Sequence, residues 1–400
     1  MAGLASGLDY AVVTICFLVS IILMSRGGHR RDHIWAFAAF LLCIGLDRVD
    51  DILVRADLYN TIPAVMEWAL LLKLLQPLAI YHYTRAMTSP SLLRLRSLFP
   101  SHLIACLIGV ALALPYLTLD GDIKLAEHLE VDHPADDSTR VFMADLFGLT
   151  FIFYLTVLRY VYLIRSFRLI ANHHRQIQDL FSNVDDKTLS WLRYMIFILG
   201  ALWLLQPGYI ILLLFDIADP PESFFNAVDA IALGTLGCLG LRQGAIYDHA
   251  CRGEAIKVEQ GDDEPTAMRP VLDNDHAVRI SVKLNRAMDE QQLYRDPTLT
   301  LRQLSDSTQI SVHRISEVLN QHMGTNFYDF VNSWRIEEAK LLLQKDKKRS
   351  VLDIAMDVGF NSKSTFYSAF NKLVDESPAA FRRQNSEIAG EAGLHHRSCG

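Results

Sequence analysis

Seven apolar stretches, each about 17 to 25 residues long, most limit what this chain can become, because a helix of that length crosses a hydrocarbon layer. They cover residues 8–24, 34–53, 62–83, 101–119, 141–164, 192–215 and 224–241. Two carry charges that weaken them as spans. Asp47, Arg48, Asp50 and Asp51 crowd the end of the second, and Asp229 sits in the Gly-containing seventh, so six crossings is the alternative to seven.

The connecting loops alternate in charge. Arg26, Arg30 and Arg31, then Arg85, Arg94 and Arg96, then Arg165, Arg168, Arg175, Lys187 and Arg193 fill the odd-numbered loops. Asp50, Asp51 and Asp57, then the acidic run from Asp120 to Asp137, then Asp216, Asp219 and Glu222 fill the others. Lys and Arg are retained on the cytoplasmic side, so seven crossings place the N-terminus outside and everything after Leu241 in the cytoplasm of a cell with an inner membrane. The first nine residues, Met1 to Asp9, hold no Lys or Arg and the arginines follow the run, so the first segment is expected to remain rather than be cleaved as a secretory signal.

Composition narrows the function classes. The chain has 400 residues, 51% of them apolar and 21% charged, with a formal charge of -7. A single-domain soluble enzyme does not fit that distribution, and neither does a strongly basic polymer-coating protein. Cys16, Cys43, Cys106 and Cys238 lie in apolar runs and Cys251 and Cys399 in polar segments, without metal-ligand spacing, so all six are expected as free thiols and no metal or other cofactor is expected.

Inside the apolar half, ionisable residues are functional candidates because burying them in lipid is expensive. Glu67 and Lys73 on the third segment, Asp145 and Arg159 on the fifth and Asp229 on the seventh are the candidates for signal sensing. The competing reading pairs Glu67 and Lys73 structurally and lets Asp145, Arg159 and Asp229 reach a nearby membrane surface. Gln76-Pro77 and Gln206-Pro207 share the string Leu-Leu-Gln-Pro, read as chance rather than as an internal repeat. The acidic outer loop adds His128 and His133 but shows no fixed ligand order, so a solvated loop is the favoured reading over cation or pH sensing.

Residues 242–275 hold scattered Gly and Pro and the run Gly261-Asp262-Asp263-Glu264-Pro265, the pattern of a flexible linker. Residues 386–400 are an unpatterned tail. Between them, residues 276–385 regain the helical period, with no alternation typical of strands. Ile280, Leu284 and Met288 mark a first amphipathic helix ending before Asp296-Pro297. A short helix over 299–307, a turn at 308–310 and a helix from Ser311 to Met323 form a helix-turn-helix, closed by Gly324. A longer helix over 327–344 follows, and the plan repeats with 351–358, Gly359, Phe360 and a helix from Ser362 to Val374. The fold class is therefore all-α: a seven-helix transmembrane bundle over residues 1–241, then a cytoplasmic all-helical domain with two helix-turn-helix motifs.

Ile354-Ala355-Met356-Asp357-Val358-Gly359-Phe360, then Ser364, Phe366, Phe370, Lys372, Ser377-Pro378 and Phe381-Arg382, resemble the signature of the AraC/XylS family of transcription regulators. Ser311, Ile315, Gly324, Phe327, Arg335, Ala339 and Leu342 extend the resemblance to about a quarter of the chain. Asp375 stands where that family usually has glycine, a small expected stability cost because Asp tolerates the left-handed conformation. The resemblance implies two recognition helices in successive major grooves of double-stranded promoter DNA. By position, the first would present His313, Ser316 and Glu317 to bases with Arg314 near phosphate, and the second Lys363, Ser364, Tyr367 and Ser368. Glu317 would accept from a cytosine or pair with Arg314, while Phe360, Phe366 and Phe370 read as core. Residues 286–383 hold fourteen Lys or Arg against thirteen Asp or Glu, so nonspecific affinity should be low and a homodimer would help.

The expected function is a membrane-integrated one-component transcription regulator in which the bundle binds an unidentified signal molecule and repositions the domain on DNA. RNA polymerase would be a partner by family resemblance. The alternative is a transporter or membrane enzyme with a fused DNA-binding domain, although no HExxH, GxSxG or paired-carboxylate pattern is present and no catalytic residue is assigned. A bare anchor would need one segment, not seven.

Overall fold

The computed structural model describes residues 2–25, 32–61, 63, 66, 68–88, 99–128, 138–184, 189–215, 224–225, 227–238, 274–346 and 348–384. Among these the chain is helical, with one isolated antiparallel bridge between Phe181 and Thr300 and no strand. Glu67, His133, most of the linker and the tail lie outside the described residues. The chain divides into two compact units, residues 1–173 with 189–253, and residues 174–188 with 254–400.

In the first unit the helices are α1 (Ala2–Ser25), α2 (Asp32–Arg55), α3 (Leu72–Thr88), α4 (Phe99–Leu117), α5 (Gly121–His128), most of α6 (Ser138–Leu180), α7 (Ser190–Leu214) and α8 (Ala227–Cys238). Each apolar stretch of the sequence carries one of them, with two differences in extent. The third stretch does not run as one helix from its start. Pro63 lacks a donor and disfavours helical geometry before it, and the chain enters α3 through a 3-10 turn, Trp68–Leu71. The fifth does not stop at residue 164, because residues 165–180 contain no Gly or Pro and keep good helix formers, so α6 reaches 43 residues. The acidic loop between α4 and α6 also holds a helix the sequence pattern did not announce, α5, with buried Lys124 donating to the Leu117 carbonyl at 3.1 Å.

Small residues and rings bring α1 and α2 together. A side chain added at Gly45 would lie 3.1 Å from Cys16 Cβ and 3.2 Å from the Phe17 ring, so glycine permits this approach. Val12, Cys16, Val19 and Leu23 of α1 pack with Phe37, Phe40, Leu41 and Ile44 of α2, and Tyr83 of α3 stacks on Phe37 at 4.8 Å. A second cluster joins Leu74, Ala113, Phe151, Leu155 and Tyr162.

The outside of this unit is apolar. Ile21, Phe142, Phe153, Tyr194, Phe197, Phe215 and Ile231 are each more than 60% exposed, far beyond the scattered apolar residues of a water-facing surface. Two helices, Gly7–Ser25 and Thr139–Leu180, are long and apolar enough to cross a membrane by length and composition, and His102–Leu117 and Ala227–Cys238 are apolar but shorter.

The second unit contains α9 (Asn274–Gln291), α10 (Leu301–Thr308), α11 (Val312–Glu317) continued by a π-helical turn Val318–His322, α12 (Phe327–Lys345), α13 (Val351–Asp357), α14 (Lys363–Val374) and α15 (378–384). It has two cores on one rod. Phe327, Phe330 and Val331 at the start of α12 pack with Ile280, Leu284, Met288, Leu304 and Ile315. Ile336, Ala339 and Leu343, farther along the same helix, pack with Ile354, Phe360, Phe366 and Phe370. The Phe residues of the second motif are therefore core, as their spacing implied.

Local signals fix the ends. Thr300 and Gln303 form a capping box on α10, and Ser350 and Ser362 accept from Asp353 N and Thr365 N at the starts of α13 and α14. Ser311 occupies the N-cap of α11 without a side-chain cap bond. Gly359 has φ +100, and a Cβ there would sit 2.6 Å from the Tyr294 carbonyl oxygen, so glycine is needed both for its conformation and for the approach of the two halves. Asp375 ends α14 in the left-handed conformation, φ +58, where the resemblance led one to expect a tolerated substitute for glycine.

Candidate nucleic-acid interface and the cavity of the first unit

Two short helices present polar side chains in matching stripes. On α11, His313, Ser316 and Glu317 lie at helical spacing on one side, while Ile315, Val318 and Leu319 turn into the core. His313 is exposed and the other two half-buried. Arg314 Nη1 donates to Glu317 Oε2 at 3.1 Å, so the acid that sequence reasoning left between cytosine and arginine is bonded to arginine. On α14, Lys363, Ser364, Tyr367 and Ser368 occupy one face and Phe366, Ala369 and Phe370 the other. Lys363 Nζ lies 5.3 Å from the centre of the Tyr367 ring, and Ser364 Oγ is 3.1 Å from Ser362 Oγ.

Two exposed amides lengthen these stripes and were not foreseen. Asn320 continues the His313 and Ser316 row and donates to Ser316 Oγ at 3.3 Å, and Asn371 continues the Ser364 and Tyr367 row. The spacing of seven residues was the available signal. Amide, hydroxyl, lysine and histidine groups are the side chains that read base edges in a major groove.

Behind the stripes, Arg335 ties the unit together. It is 1% exposed and its guanidinium donates to five acceptors: Tyr294 O at 2.7 Å, Asp296 O at 2.8 Å, and Asn332 Oδ1, Ser182 O and Ser182 Oγ each at 3.2 Å. Its side chain also lies over the Phe360 ring at 5.5 Å. Burial lowers its pKa to about 10, which leaves it charged at neutral pH. Ser182 follows α6, and its backbone N–H and hydroxyl both donate to Leu299 O, at 3.1 and 2.7 Å. Ile177, Phe181 and Val184 pack with Tyr328, and the Asp179 carboxyl lies beside the Asn320 side chain. The end of α6 is thus built into the second unit and reaches the π-helical turn that continues α11.

In the first unit, the ionisable residues gather around a cavity of about 380 Å³. Lys73, Arg159 and Asp229, three of the sensing candidates, line it together with Asp47, Arg48, Asp51 and Gln76. Asp145 does not line it and is exposed. Arg48 pairs with Asp229, with Asp51 at 3.2 Å and with Asp9 at 4.0 Å; Lys73 pairs with Asp47 at 3.4 Å. Arg159, 5% exposed, donates to Gln76 Oε1 at 3.5 Å and lies over the Trp203 ring at 5.3 Å. Arg159 is therefore an interior group, not one reaching for a membrane surface. Three of the four charges that made the second stretch a weak span, Asp47, Arg48 and Asp51, furnish this cavity.

Residues 304–384 match the family model of the Helix-turn-helix domain. Over 92 residues the chain is 29% identical to the Melibiose operon regulatory protein of Escherichia coli (strain K12), covering 23% of this chain and 30% of that protein. Over 106 residues it is 31% identical to an uncharacterized HTH-type transcriptional regulator of Staphylococcus aureus (strain COL), covering 26% of this chain and 14% of that protein. The chain spans less than a third of the length of these relatives, so the likeness is that of one domain. No solved structure matches at a significant level. Residues 304–384 therefore form a helix-turn-helix domain similar to those of these transcriptional regulators.

Proposed function

We propose that this chain is a membrane-integrated, one-component transcription regulator, which binds promoter DNA through His313, Ser316, Lys363, Ser364, Tyr367 and Ser368 and takes its signal through the first unit. The observation that carries the membrane assignment is the inverted polarity of that unit, apolar outside and charged within. In water an exposed shell of Phe, Ile and Tyr costs free energy, whereas lipid reverses the sign and leaves the charged cavity as the solvated interior. The loop charges support an N-terminus outside and a DNA-binding domain in the cytoplasm.

A route for the signal is the end of α6. The helix runs for 43 residues, from the first unit into the second. The reading takes the signal from the first unit to the second along this segment. Homodimerisation and contact with RNA polymerase extend this reading to partners at the promoter.

The test is a topology map of the full-length protein. Reporter fusions after residues 31, 90 and 241 should give cytoplasmic signals and a fusion within 129–137 an external one, with the protein resisting alkaline extraction from membranes. Release of the protein by alkali, or an external signal after residue 241, refutes the proposal.

A further inference from the structure

We propose that the end of α6 is an autoinhibitory strap on the first helix-turn-helix, one that must open at Asp179 before α11 can enter a major groove; this rests on the DNA-binding reading above.

Residues 174–188 belong to the second unit, and their contacts reach three parts of the first motif and its surroundings. Phe181 forms the bridge to Thr300, the N-cap of α10, and Ser182 bonds to Leu299 O and to the Arg335 guanidinium. Ile177, Phe181 and Val184 pack with Tyr328 at the start of α12. On the last turn of α6, the Asp179 carboxyl meets the Asn320 side chain on the turn that continues α11.

The place of this last contact makes it inhibitory. Asn320 continues the row of His313 and Ser316, the side of α11 assigned to bases, and its amide donates to Ser316 Oγ at 3.3 Å. A polar chain from Asp179 through Asn320 to Ser316 thus runs into the reading row. An α-helix with its side chains is about 10 to 12 Å across and the major groove about 12 Å wide, so the groove takes the recognition helix without a second helix beside it. A carboxylate at that edge also faces the phosphates that flank the groove and repels them.

The strap is held unevenly along its length. Ser182 is buried and bonded through its backbone and its hydroxyl, whereas Asp179 is half-buried and Asn320 exposed. Burial raises the Asp179 pKa and the Asn320 side chain offsets part of that rise, so this end gains little by staying closed. Opening at Asp179 leaves Ser182 in place, a local displacement rather than loss of the domain. Because the same helix begins in the first unit, a signal received there acts by favouring the closed or the open strap.

The experiment measures the DNA affinity of full-length protein in lipid nanodiscs. The probe is a fluorescent duplex of about 40 base pairs, selected from a random pool on the wild-type protein and long enough for two recognition helices one DNA turn apart. Asp179→Asn, which keeps the shape and removes the charge, should bind it about threefold more tightly, and Asp179→Ala, which removes the contact as well, about tenfold more tightly. Thermal unfolding verifies that both variants are folded. A double variant, Asp179→Cys with Asn320→Cys, closes the strap covalently on oxidation. With the crosslink verified by mass spectrometry, the oxidised form should bind at least tenfold more weakly than the same protein after reduction, while oxidised wild-type protein, with six cysteines of its own, keeps its affinity. Equal affinity of the crosslinked and reduced forms overturns the proposal, as does a folded Asp179→Ala protein that binds no more tightly than wild type. If no form binds any duplex from the pool, the DNA-binding reading falls and the strap with it, whereas a duplex bound equally by the crosslinked and reduced forms removes the strap alone.

Discussion

Replacing Arg335 by lysine tests whether one buried guanidinium holds the end of α6 to the DNA-binding domain. Arginine presents a rigid fork of five donors, and here it reaches five acceptors contributed by residues 182, 294, 296 and 332. Lysine keeps the charge but carries only three donors, so at least two of the five acceptors lose their bond. Two lost charge-assisted bonds, at about 1.5 to 3 kcal/mol each and partly offset by relaxation and water entry, set an expected loss of about 3 to 5 kcal/mol. That is a large part of the roughly 5 to 15 kcal/mol that stabilises a domain. Hydrogen exchange read by mass spectrometry on the full-length protein is the assay. The Ser182 amide, which donates to Leu299 O, and the amides of residues 293–299 should exchange more than a hundredfold faster, since 1.4 kcal/mol is tenfold. A change below tenfold at both segments would show that the packing of Ile177, Phe181 and Val184 holds them without the arginine. The pH dependence has a definite sign. Because burial lowers the folded-state pKa to about 10, the cost of burying the charge is complete below that value and eases only as pH rises above it. Arg335 therefore adds no slope to stability between pH 6 and 9.

Other substitutions separate conformation from contact. Asp375→Gly should stabilise the second helix-turn-helix by about 0.5 to 1 kcal/mol, seen as a higher denaturant midpoint at unchanged slope, since glycine removes the left-handed strain at φ +58; a lower midpoint would mean that the aspartate side chain contributes more than its strain costs. Gly359→Ala should cost about 2 kcal/mol or more, because φ +100 and the Tyr294 carbonyl at 2.6 Å both oppose a Cβ, and an unaltered midpoint would refute that account. Glu317→Ala frees Arg314 from its 3.1 Å bond and removes a negative charge from the proposed DNA face, so nonspecific DNA affinity should rise and its salt dependence steepen; a fall in affinity for all sequences would instead make the Arg314–Glu317 pair a structural support of the helix.

Much of the architecture is legible in the chain because it depends on short-range rules. Apolar runs of sufficient length, the Gly324 and Gly359 turns and the helical spacing of Phe366 and Phe370 act within a few residues, and the helices follow them. The misjudged extents have equally local causes, Pro63 at the third stretch and the unbroken helix-forming run after residue 164 at the fifth. What sequence reasoning could not reach is pairing at a distance. Asp47, Arg48 and Asp51 read as defects of a span until Asp229, Lys73 and Arg159 arrive from three other helices to share one cavity. Arg335 fits the family resemblance, but its bond to Ser182 spans 153 residues and crosses an expected domain boundary, and nothing near Ser182 distinguishes it from any loop serine. Asp179 likewise gains meaning only beside Asn320.

The central claim, a DNA-binding domain held at a membrane, is tested most directly by crosslinking cells, floating the membranes on a density gradient and sequencing the DNA that travels with the full-length protein. The account predicts discrete promoter fragments in the light membrane fraction, lost when Lys363 and Ser364 are both changed to Ala, exposed positions where the fold should survive. Membranes that carry the protein but no specific DNA, or specific fragments bound only to protein outside the membrane fraction, would contradict it.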